Sequence, residues 1–253
     1  MTKGVVSVIV PLFNYAYYIE QLIKSVISQS YKKFELIIVD DFSTDNPISV
    51  IERYLSDKIK YIKLDRNYGY ATAKNEGIIR SCGEYIVVLD ADDLLVYGNS
   101  LECRVRFLNK NKKYKWVHAK AYEFTNDIKR AKWKRRKFIR RFEQIRKTKN
   151  YSRVWDSIHA QTVMVKRECY IKAGLYEESM RSMSDKEMWA RLQFAVGIPG
   201  YLNKFVSYYR MHKKQMHRSK EKKAQVNKLI RKLKTNIRLR KKGNMEGVRM
   251  LIE

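Results

Sequence analysis

Residues that cross-link or interrupt a chain are scarce in this sequence. Its 253 residues include three cysteines, Cys82, Cys103 and Cys169, which form no CxxC pair. This odd number argues against a disulfide framework or a structural zinc site and favours a reducing compartment. No apolar run reaches the roughly 18 residues of a membrane-spanning helix. We therefore predict a cytoplasmic protein with one main core, soluble or peripheral to the inner face of a membrane.

Two common classes of motif are also missing. No GxxxxGK[ST] loop occurs, and no GxGxxG follows the first predicted strand, where residues 11–15 read PLFNY. Any bound phosphate must therefore be held by a metal ion and side chains. A GxSxG nucleophile motif is absent as well, which argues against covalent catalysis.

Basic residues are in large excess and are unevenly distributed. Lysine and arginine number 54 against 26 acidic residues, a net charge of +28. The first hundred residues carry 11 basic and 13 acidic residues, so 43 basic and 13 acidic residues follow. Segments 129–149 and 213–242 hold most of the excess. Such charge attracts nucleic acid, anionic lipid or acidic polysaccharide, or simply forms a solvated face.

The first hundred residues alternate between two kinds of hydrophobic pattern. Short β-branched runs predict buried parallel strands, and apolar residues at helical spacing predict the helices between them. This βαβαβαβ series predicts a mostly parallel, Rossmann-like sheet with helices on both faces. The predicted strands are 5–11, 34–39, 59–64 and 85–89, and the predicted helices are 17–29, 48–55 and 71–81.

The pattern is less regular after residue 100. It predicts helices at 100–109 and 186–195, and strands at 116–124, 163–166 and 205–210. Residues 220–242 read as a basic amphipathic helix. We therefore divide the chain into a domain of residues 1–218 and a basic helical C-terminal extension, 219–253.

Carboxylates follow two of the predicted strands. Asp90, Asp92 and Asp93 come directly after the fourth strand, and Asp40 and Asp41 follow the second. Side chains two residues apart in an extended segment share a face, so Asp90 and Asp92 can bind one hard ion such as Mg²⁺ or Mn²⁺. A solvated loop is the alternative. The second pair can accept from a nucleobase or a ribose, or can cap the turn that follows.

Several motifs occur in a characteristic order. Residues 8–14 read VIVPLFN, 36–45 read LIIVDDFSTD, 67–69 read NYG, 73–77 read AKNEG, and 89–93 read LDADD. Later, residues 183–191 read MSDKEMWAR and 209–212 read YRMH. Together these motifs resemble the family 2 glycosyltransferases, inverting enzymes of the GT-A fold. The resemblance covers residues 5 to about 219. It implies that residues 1–100 are the nucleotide-binding half of the domain and residues 101–218 the acceptor half.

The resemblance implies a site for a nucleotide-sugar donor and a metal. Asp41 would contact the nucleobase, and Lys74, where the family usually has arginine, would offer a point charge to phosphate. Asp92 and His212 would bind Mn²⁺ or Mg²⁺, with Asp90 and Asp93 as further possible ligands. The donor nucleotide-binding set is Pro11, Phe13, Asn14, Asp41, Asn67, Gly69, Lys74, Asp90 and Ala91.

The resemblance also implies a general base and an acceptor. Asp185 matches the family's base, and Glu187 is a second candidate. The set implied for the acceptor or donor-sugar pocket is His159, Gln161, Glu187 and Trp189. The expected reaction transfers a sugar from a UDP-sugar to a hydroxyl of a glycan, glycoconjugate or lipid-linked acceptor, as in polysaccharide biosynthesis. One alternative is a polyprenyl-phosphate acceptor at the membrane; a remote one is a non-catalytic nucleic-acid-binding protein.

Overall fold

A computed structural model describes residues 1–125, 127–132, 158–180 and 184–212. They form eight strands and six helices. The strands are β1 (Thr2–Leu12), β2 (Phe34–Asp40), β3 (Ile59–Lys63), β4 (Gly83–Val88), β5 (Leu94–Leu95), β6 (Trp116–Phe124), β7 (Met164–Lys166) and β8 (Gly200–Arg210). The helices are α1 (Ala16–Ile27), α2 (Ile48–Ile51), α3 (Tyr70–Arg80), α4 (Ser100–Lys110), α5 (Arg167–Ala173) and α6 (Ser184–Val196).

All eight strands belong to one mixed sheet in the order β3-β2-β1-β4-β7-β6-β8-β5. β1 pairs in parallel with β2 and β4, and β2 pairs in parallel with β3. This confirms the parallel sheet predicted for the first hundred residues. Beyond β4 the directions mix, because β7 runs antiparallel to both β4 and β6, whereas β6 and β8 are parallel.

Helices cover both faces of the sheet, as predicted. Alternate residues of β1 point to opposite faces, so Val8 and Val10 belong to one buried cluster and Ile9 to another. The first cluster includes residues of α1 and α4, and the second includes residues of α3, α5 and α6. Strands that are buried on both faces are expected to read as continuous apolar runs.

The structure corrects several predicted elements. β5 and α5 were not predicted: two leucines are too short a run to identify a strand, and α5 is a seven-residue helix closed by Gly174 at a φ of 86°. β8 begins at Gly200 rather than at residue 205, because exposed residues in its first half hide the strand pattern. The predicted helix 48–55 is α2 followed by a 3₁₀ turn.

Most of the basic segments lie outside the described residues. This applies to residues 133–149 and to the extension 219–253, so both predictions about them stay predictions. The division of the chain at residue 218 is likewise still a prediction. Among the described helices, none is both long enough and apolar enough to cross a membrane.

Helix α3 packs closely on the sheet at a glycine. A Cβ atom on Gly77 would lie 2.2 Å from Ile9 Cγ2 and 3.3 Å from Val39 Cγ2. Real Cβ atoms do not approach neighbours at the first of these distances. Gly77 therefore sets the spacing between α3 and the two central strands, β1 and β2.

We predict that Gly77→Ala lowers the free energy of unfolding. Overpacking costs about 1–3 kcal/mol, and the better helix propensity of alanine returns about 1 kcal/mol. In an Ile9→Ala background the added methyl group has room, so the same substitution should become neutral or stabilising. Urea unfolding of the four proteins measures both effects, and equal losses in the two backgrounds would contradict the packing explanation.

Candidate active site

The loops that follow β1, β2 and β4 meet at one edge of the sheet. β1 lies between the other two strands, with Leu12 opposite Asp40 and Ile9 opposite Val88. The parallel directions bring all three strands to their carboxyl ends on the same side. This edge therefore brings together the loops of Asn14, Asp41 and Asp90, and ligands of open α/β sheets bind at such an edge.

Asp41 is buried beneath the loop that precedes α3. Its two carboxylate oxygens accept hydrogen bonds from the backbone N–H groups of Tyr68, at 2.7 Å, and Gly69, at 2.8 Å. Asn67 Nδ2 donates to the Asp41 carbonyl at 3.1 Å. Burial raises the pKa of Asp41 despite these two donors. Asp41 thus ties β2 to the start of α3. The turn that follows β2 is capped by Asp40, whose Oδ1 accepts from the Ser43 N–H at 2.9 Å. The contact of Asp41 with a nucleobase stays a prediction.

The loop after β1 is held by a second set of hydrogen bonds. Asn14 has a φ of 56°, and its side-chain oxygen accepts from the N–H of Thr44 at 2.8 Å. The Asn14 N–H donates to Ser43 Oγ at 3.0 Å. Pro11 lies in β1 opposite Val39, whereas the Phe13 ring beside Asn14 is 44% exposed. The loop therefore offers an exposed aromatic ring on a fixed backbone.

The three aspartates after β4 form a compact group, called here the aspartate triad. One oxygen from each of Asp90, Asp92 and Asp93 lies within 4.8 Å of the others, and Ala91 between them is buried. Asp93 Oδ2 is buried and has no hydrogen-bond partner among the described residues. Carboxylate oxygens are the ligands that Mg²⁺ and Mn²⁺ prefer. The donor set and the unpartnered oxygen therefore fit a divalent cation.

Burial makes the triad costly to ionise. It raises the pKa of Asp90 to about 7, an effect that nearby Lys74 opposes and that the carboxylates of Asp185 and Asp92 reinforce. Burial and the two neighbouring carboxylates also raise the pKa of Asp93 well above its usual range. A bound cation would favour the ionised forms. The electrostatics of the triad thus favour binding of positive charge.

His212 lies beside the triad. Its Nε2 is 2.8 Å from Asp92 Oδ2, and its ring lies 5.8 Å from that of Tyr15 and 5.7 Å from that of Tyr18, measured between centroids. The residues that follow β8 therefore bring an imidazole to the carboxyl end of β4. Metal binding by His212 stays a prediction.

Arg210 connects the triad to two other elements. Its backbone N–H donates to Asp93 Oδ1 at 2.8 Å, and its Nε donates to the Asp92 carbonyl at 2.7 Å. A terminal nitrogen donates to Gln21 Oε1 in α1 at 2.7 Å. The guanidinium carbon lies 4.6 Å from the ring centroid of Tyr18. One buried arginine thus joins β8, the triad loop and α1.

Asp185 approaches the triad from α6. It lies in the first turn of that helix, and its Oδ1 is 2.6 Å from Nζ of Lys74, whose side chain is completely buried. One helical turn before Lys74, the Tyr70 hydroxyl donates to Asp90 Oδ1. The structure therefore brings Asp185, Lys74 and Asp90 together through α3, and Lys74 is paired with a carboxylate.

The four residues predicted for the acceptor or donor-sugar pocket make different contacts. Glu187 binds Arg191 through both carboxylate oxygens, each at 2.5 Å, and Trp189 is buried in the cluster on that face of the sheet. Gln161 is buried, and the His159 ring lies 5.4 Å from that of Tyr209. Burial lowers the pKa of His159. The roles of these residues stay predictions.

Several residues at the site were not identified from the sequence. Tyr70, Arg210 and Tyr176 contact the predicted site residues directly, and Asn75 exchanges hydrogen bonds with the backbone N–H and carbonyl of Tyr176. Asn75 and Arg210 do lie inside quoted motifs, next to residues that were selected. Their partners are about a hundred positions away, so the sequence alone gave no sign of these contacts.

Comparison with known proteins supports these assignments of motif and fold. The model of the family described as Glycosyl transferase family 2 matches residues 7–168. The chain belongs to this family. Its curated relatives include the putative teichuronic acid biosynthesis glycosyltransferase TuaG of Bacillus subtilis, 41% identical over 93 residues, which are 36% of the chain and 37% of TuaG. The matches to the first relatives span about half of their length or less.

Solved structures of other proteins share the fold of this family 2 chain. S. aureus TarS 1–349 in complex with UDP superposes with a TM-score of 0.70 at 22% identity, over 89% of the chain and 64% of TarS. The mannosyltransferase PcManGT from Pyrobaculum calidifontis, in complex with GDP-Man and Mn²⁺, gives 0.65 at 22% identity, over 87% of the chain and 61% of PcManGT. The predicted GT-A fold is thereby confirmed.

We predict that Arg210→Lys destabilises the chain. Lysine keeps the charge but cannot make the separate side-chain bonds to Asp92 and Gln21, and a hydrogen bond to a charged group contributes about 1.5–3 kcal/mol. Arg106→Lys is the matched control, because Arg106 is 79% exposed and paired with Glu102 on the surface, where such pairs contribute about 0–1 kcal/mol. Chemical unfolding should show a lower free energy of unfolding for Arg210→Lys but not for Arg106→Lys. Equal decreases in the two variants would contradict the role of Arg210 in holding these elements together.

Proposed function

We propose that this chain is an inverting glycosyltransferase that moves a sugar from a UDP-sugar to a hydroxyl group of a glycan or glycoconjugate. One observation carries the proposal: Asp90 of the aspartate triad and Asp185 contact Tyr70 and Lys74, which lie one turn apart on α3, at the ligand-binding edge of the sheet. Membership of the family supports the same reaction class. The arrangement supplies one group of acids for a cation and a separate carboxylate for a proton.

The triad is the proposed metal centre. Asp92 and His212 would hold Mn²⁺ or Mg²⁺, with Asp90 and Asp93 as further oxygen ligands. When bound, such an ion stabilises the negative charge on a departing diphosphate. Arg210 holds the loop through Asp93 Oδ1 and the Asp92 carbonyl, so the ligands are positioned before an ion arrives. The Mn²⁺ in the PcManGT structure supports this choice of metal.

Asp185 is the proposed general base. Its side chain is 19% exposed, whereas Lys74 below it is covered, so an acceptor hydroxyl can reach the carboxylate. Asp185 would take the hydroxyl proton while the oxygen attacks the sugar carbon opposite the leaving diphosphate, which inverts that carbon. A diphosphate is a good leaving group, so no acid paired with the base is required, in contrast to glycoside hydrolysis.

Comparisons and loop geometry support the proposed substrates. Asp41, Asn67 and Gly69 lie together, and the Asp41 N–H donates to the carbonyl of Leu12, the residue before the exposed Phe13. We assign the uracil of the donor to this part of the edge. TarS has been solved with UDP and with UDP-GlcNAc. The similarity to TuaG, a putative teichuronic acid biosynthesis glycosyltransferase, supports a polysaccharide or its precursor as acceptor.

A thermal-shift panel tests the donor site. UDP, dTDP, GDP and CDP are each added with and without Mn²⁺ to the wild type, Asp92→Asn and the exposed control Asp57→Asn. We expect UDP to stabilise the wild type and the control only when Mn²⁺ is present, since a ligand at 100 times its Kd adds about 2.7 kcal/mol. Asp92→Asn should lose this shift. Failure of all four nucleotides to stabilise the wild type would refute the donor site.

Substitution of the base tests the mechanism. Asp185→Asn should lower turnover by about 10²- to 10⁴-fold, the usual contribution of a general base. Glu187→Gln should keep turnover, because Glu187 is occupied by Arg191. Release of nucleoside diphosphate measures both, and NMR of the product reports the anomeric configuration. A retained configuration, or a greater loss in Glu187→Gln, would overturn the assignment.

A further inference from the structure

Lys74 is enclosed by groups that together make a closed site for one ammonium ion. Its Nζ lies 2.6 Å from Asp185 Oδ1, 3.7 Å from the ring centroid of Tyr70 and 4.5 Å from that of Tyr176. We call these three residues around Lys74 the lysine box. A buried cation is strongly destabilising unless it is compensated. Here a carboxylate and two aromatic faces provide the compensation.

The walls of the lysine box are held from outside. The Tyr70 hydroxyl donates to Asp90, which fixes one ring. Asn75 donates to the Tyr176 carbonyl at 2.9 Å and accepts from its N–H at 2.8 Å, which fixes the other. The Tyr176 hydroxyl lies 3.3 Å from that of Tyr170. The position of the ammonium group is therefore determined by the fold, without any bound phosphate.

The ion pair with Lys74 occupies one of the two carboxylate oxygens of the proposed base, Asp185. Within the described residues, Lys74 is the hydrogen-bond partner of Asp185, and it contacts Oδ1. Oδ2 is then the oxygen that can receive a proton from an acceptor. A bond to one oxygen of a carboxylate limits its rotation, so the fixed ammonium group also fixes the direction of the second oxygen.

Several titratable groups surround Asp185. Tyr70 and Lys74 face it from α3, Asp90 from the triad loop, and Tyr170 and Tyr176 from α5 and the segment after it. Lys186 follows it in α6. Of these groups, Lys74 is the buried cation in contact with the carboxylate.

We infer that Lys74 is a positioning residue for Asp185: its ammonium group holds Oδ1 and thereby directs Oδ2 toward the acceptor hydroxyl. This inference rests on the proposed function, because it assumes that Asp185 is the base. It differs from the assignment of Lys74 to the donor phosphate, which would place its effect in donor binding rather than in turnover.

Kinetics of Lys74→Met and Lys74→Arg separate the two roles. The donor is the nucleotide sugar whose nucleotide gives the largest Mn²⁺-dependent thermal shift. We expect Lys74→Met to lower kcat at least tenfold while the donor KM stays within threefold. Lys74→Arg should be partly active, since it keeps the charge but not the shape.

The matched control is Lys60→Met. Lys60 lies in β3, and its Nζ is 3.2 Å from a carboxylate oxygen of buried Glu35 in β2. Two strands separate β3 from β4 and the triad, so removal of the Lys60 charge should leave kcat unchanged. A folding measurement that needs no donor completes the test. Lys74→Met and Asp185→Asn should each lower the free energy of unfolding measured in urea. The decrease in the double variant should be smaller than the sum of the two single decreases, because each substitution removes the same ion pair. Additive losses would overturn the inference.

The remaining outcomes distinguish the inference from the proposed function. An active Lys74→Met beside an inactive Asp185→Asn would overturn the positioning role alone. If Lys74→Met changes only the donor KM or the nucleotide thermal shift, Lys74 contacts the diphosphate. That result would also overturn the positioning role. Wild-type turnover in Asp185→Asn would overturn both the proposed base and the inference.

Discussion

Compensation of buried negative charge is the constraint on which the rest of this site depends. Four carboxylates, the aspartate triad and Asp185, lie within electrostatic reach of one another at the carboxyl end of β4. Like charges at this spacing disfavour one another's ionisation. Two buried cations contact these acids or their loop: Lys74 pairs with Asp185, and the Arg210 guanidinium bonds to the Asp92 carbonyl. The elements that carry these cations, α3 and β8, must therefore pack in register with the triad loop.

The two cations act by different means. Arg210 bonds mainly to the backbone and side chain of the triad loop and to α1, so it fixes where the acids lie. Lys74 contacts a carboxylate directly and leaves the loop conformation to others. The planar guanidinium suits the first task because its donors point in several fixed directions, and the compact ammonium suits the second. In this chain, the lysine in the AKNEG segment fits between two tyrosine rings.

The sequence predicted the parallel half of the fold well, and the site only in part. Buried parallel strands such as residues 34–39 are mostly apolar and rich in β-branched residues, and their ends identify the loops of Asp41 and the triad. Contacts between distant segments could not be predicted from the sequence. Lys74 and Asp185, for example, are 111 residues apart, and only the order of the strands in the sheet brings them together. One distinction was within reach: residues two apart on a helix point in very different directions. Asp185 and Glu187 therefore cannot both face the triad.

Elements that contact one another in this fold are far apart in the chain, and this separation affects folding during synthesis. Arg210 and His212 lie 117 and 120 residues beyond the triad residues they contact. β7 pairs with the side of β4 that faces away from β1, and its residues Val165 and Lys166 lie 79 and 81 residues after their partners Ile86 and Tyr85. A ribosome-bound chain that has emerged only through α4 would hold β4 with an open edge. Open edges pair readily with other chains. The interval before β7 emerges is thus the period in which this protein most needs protection from aggregation.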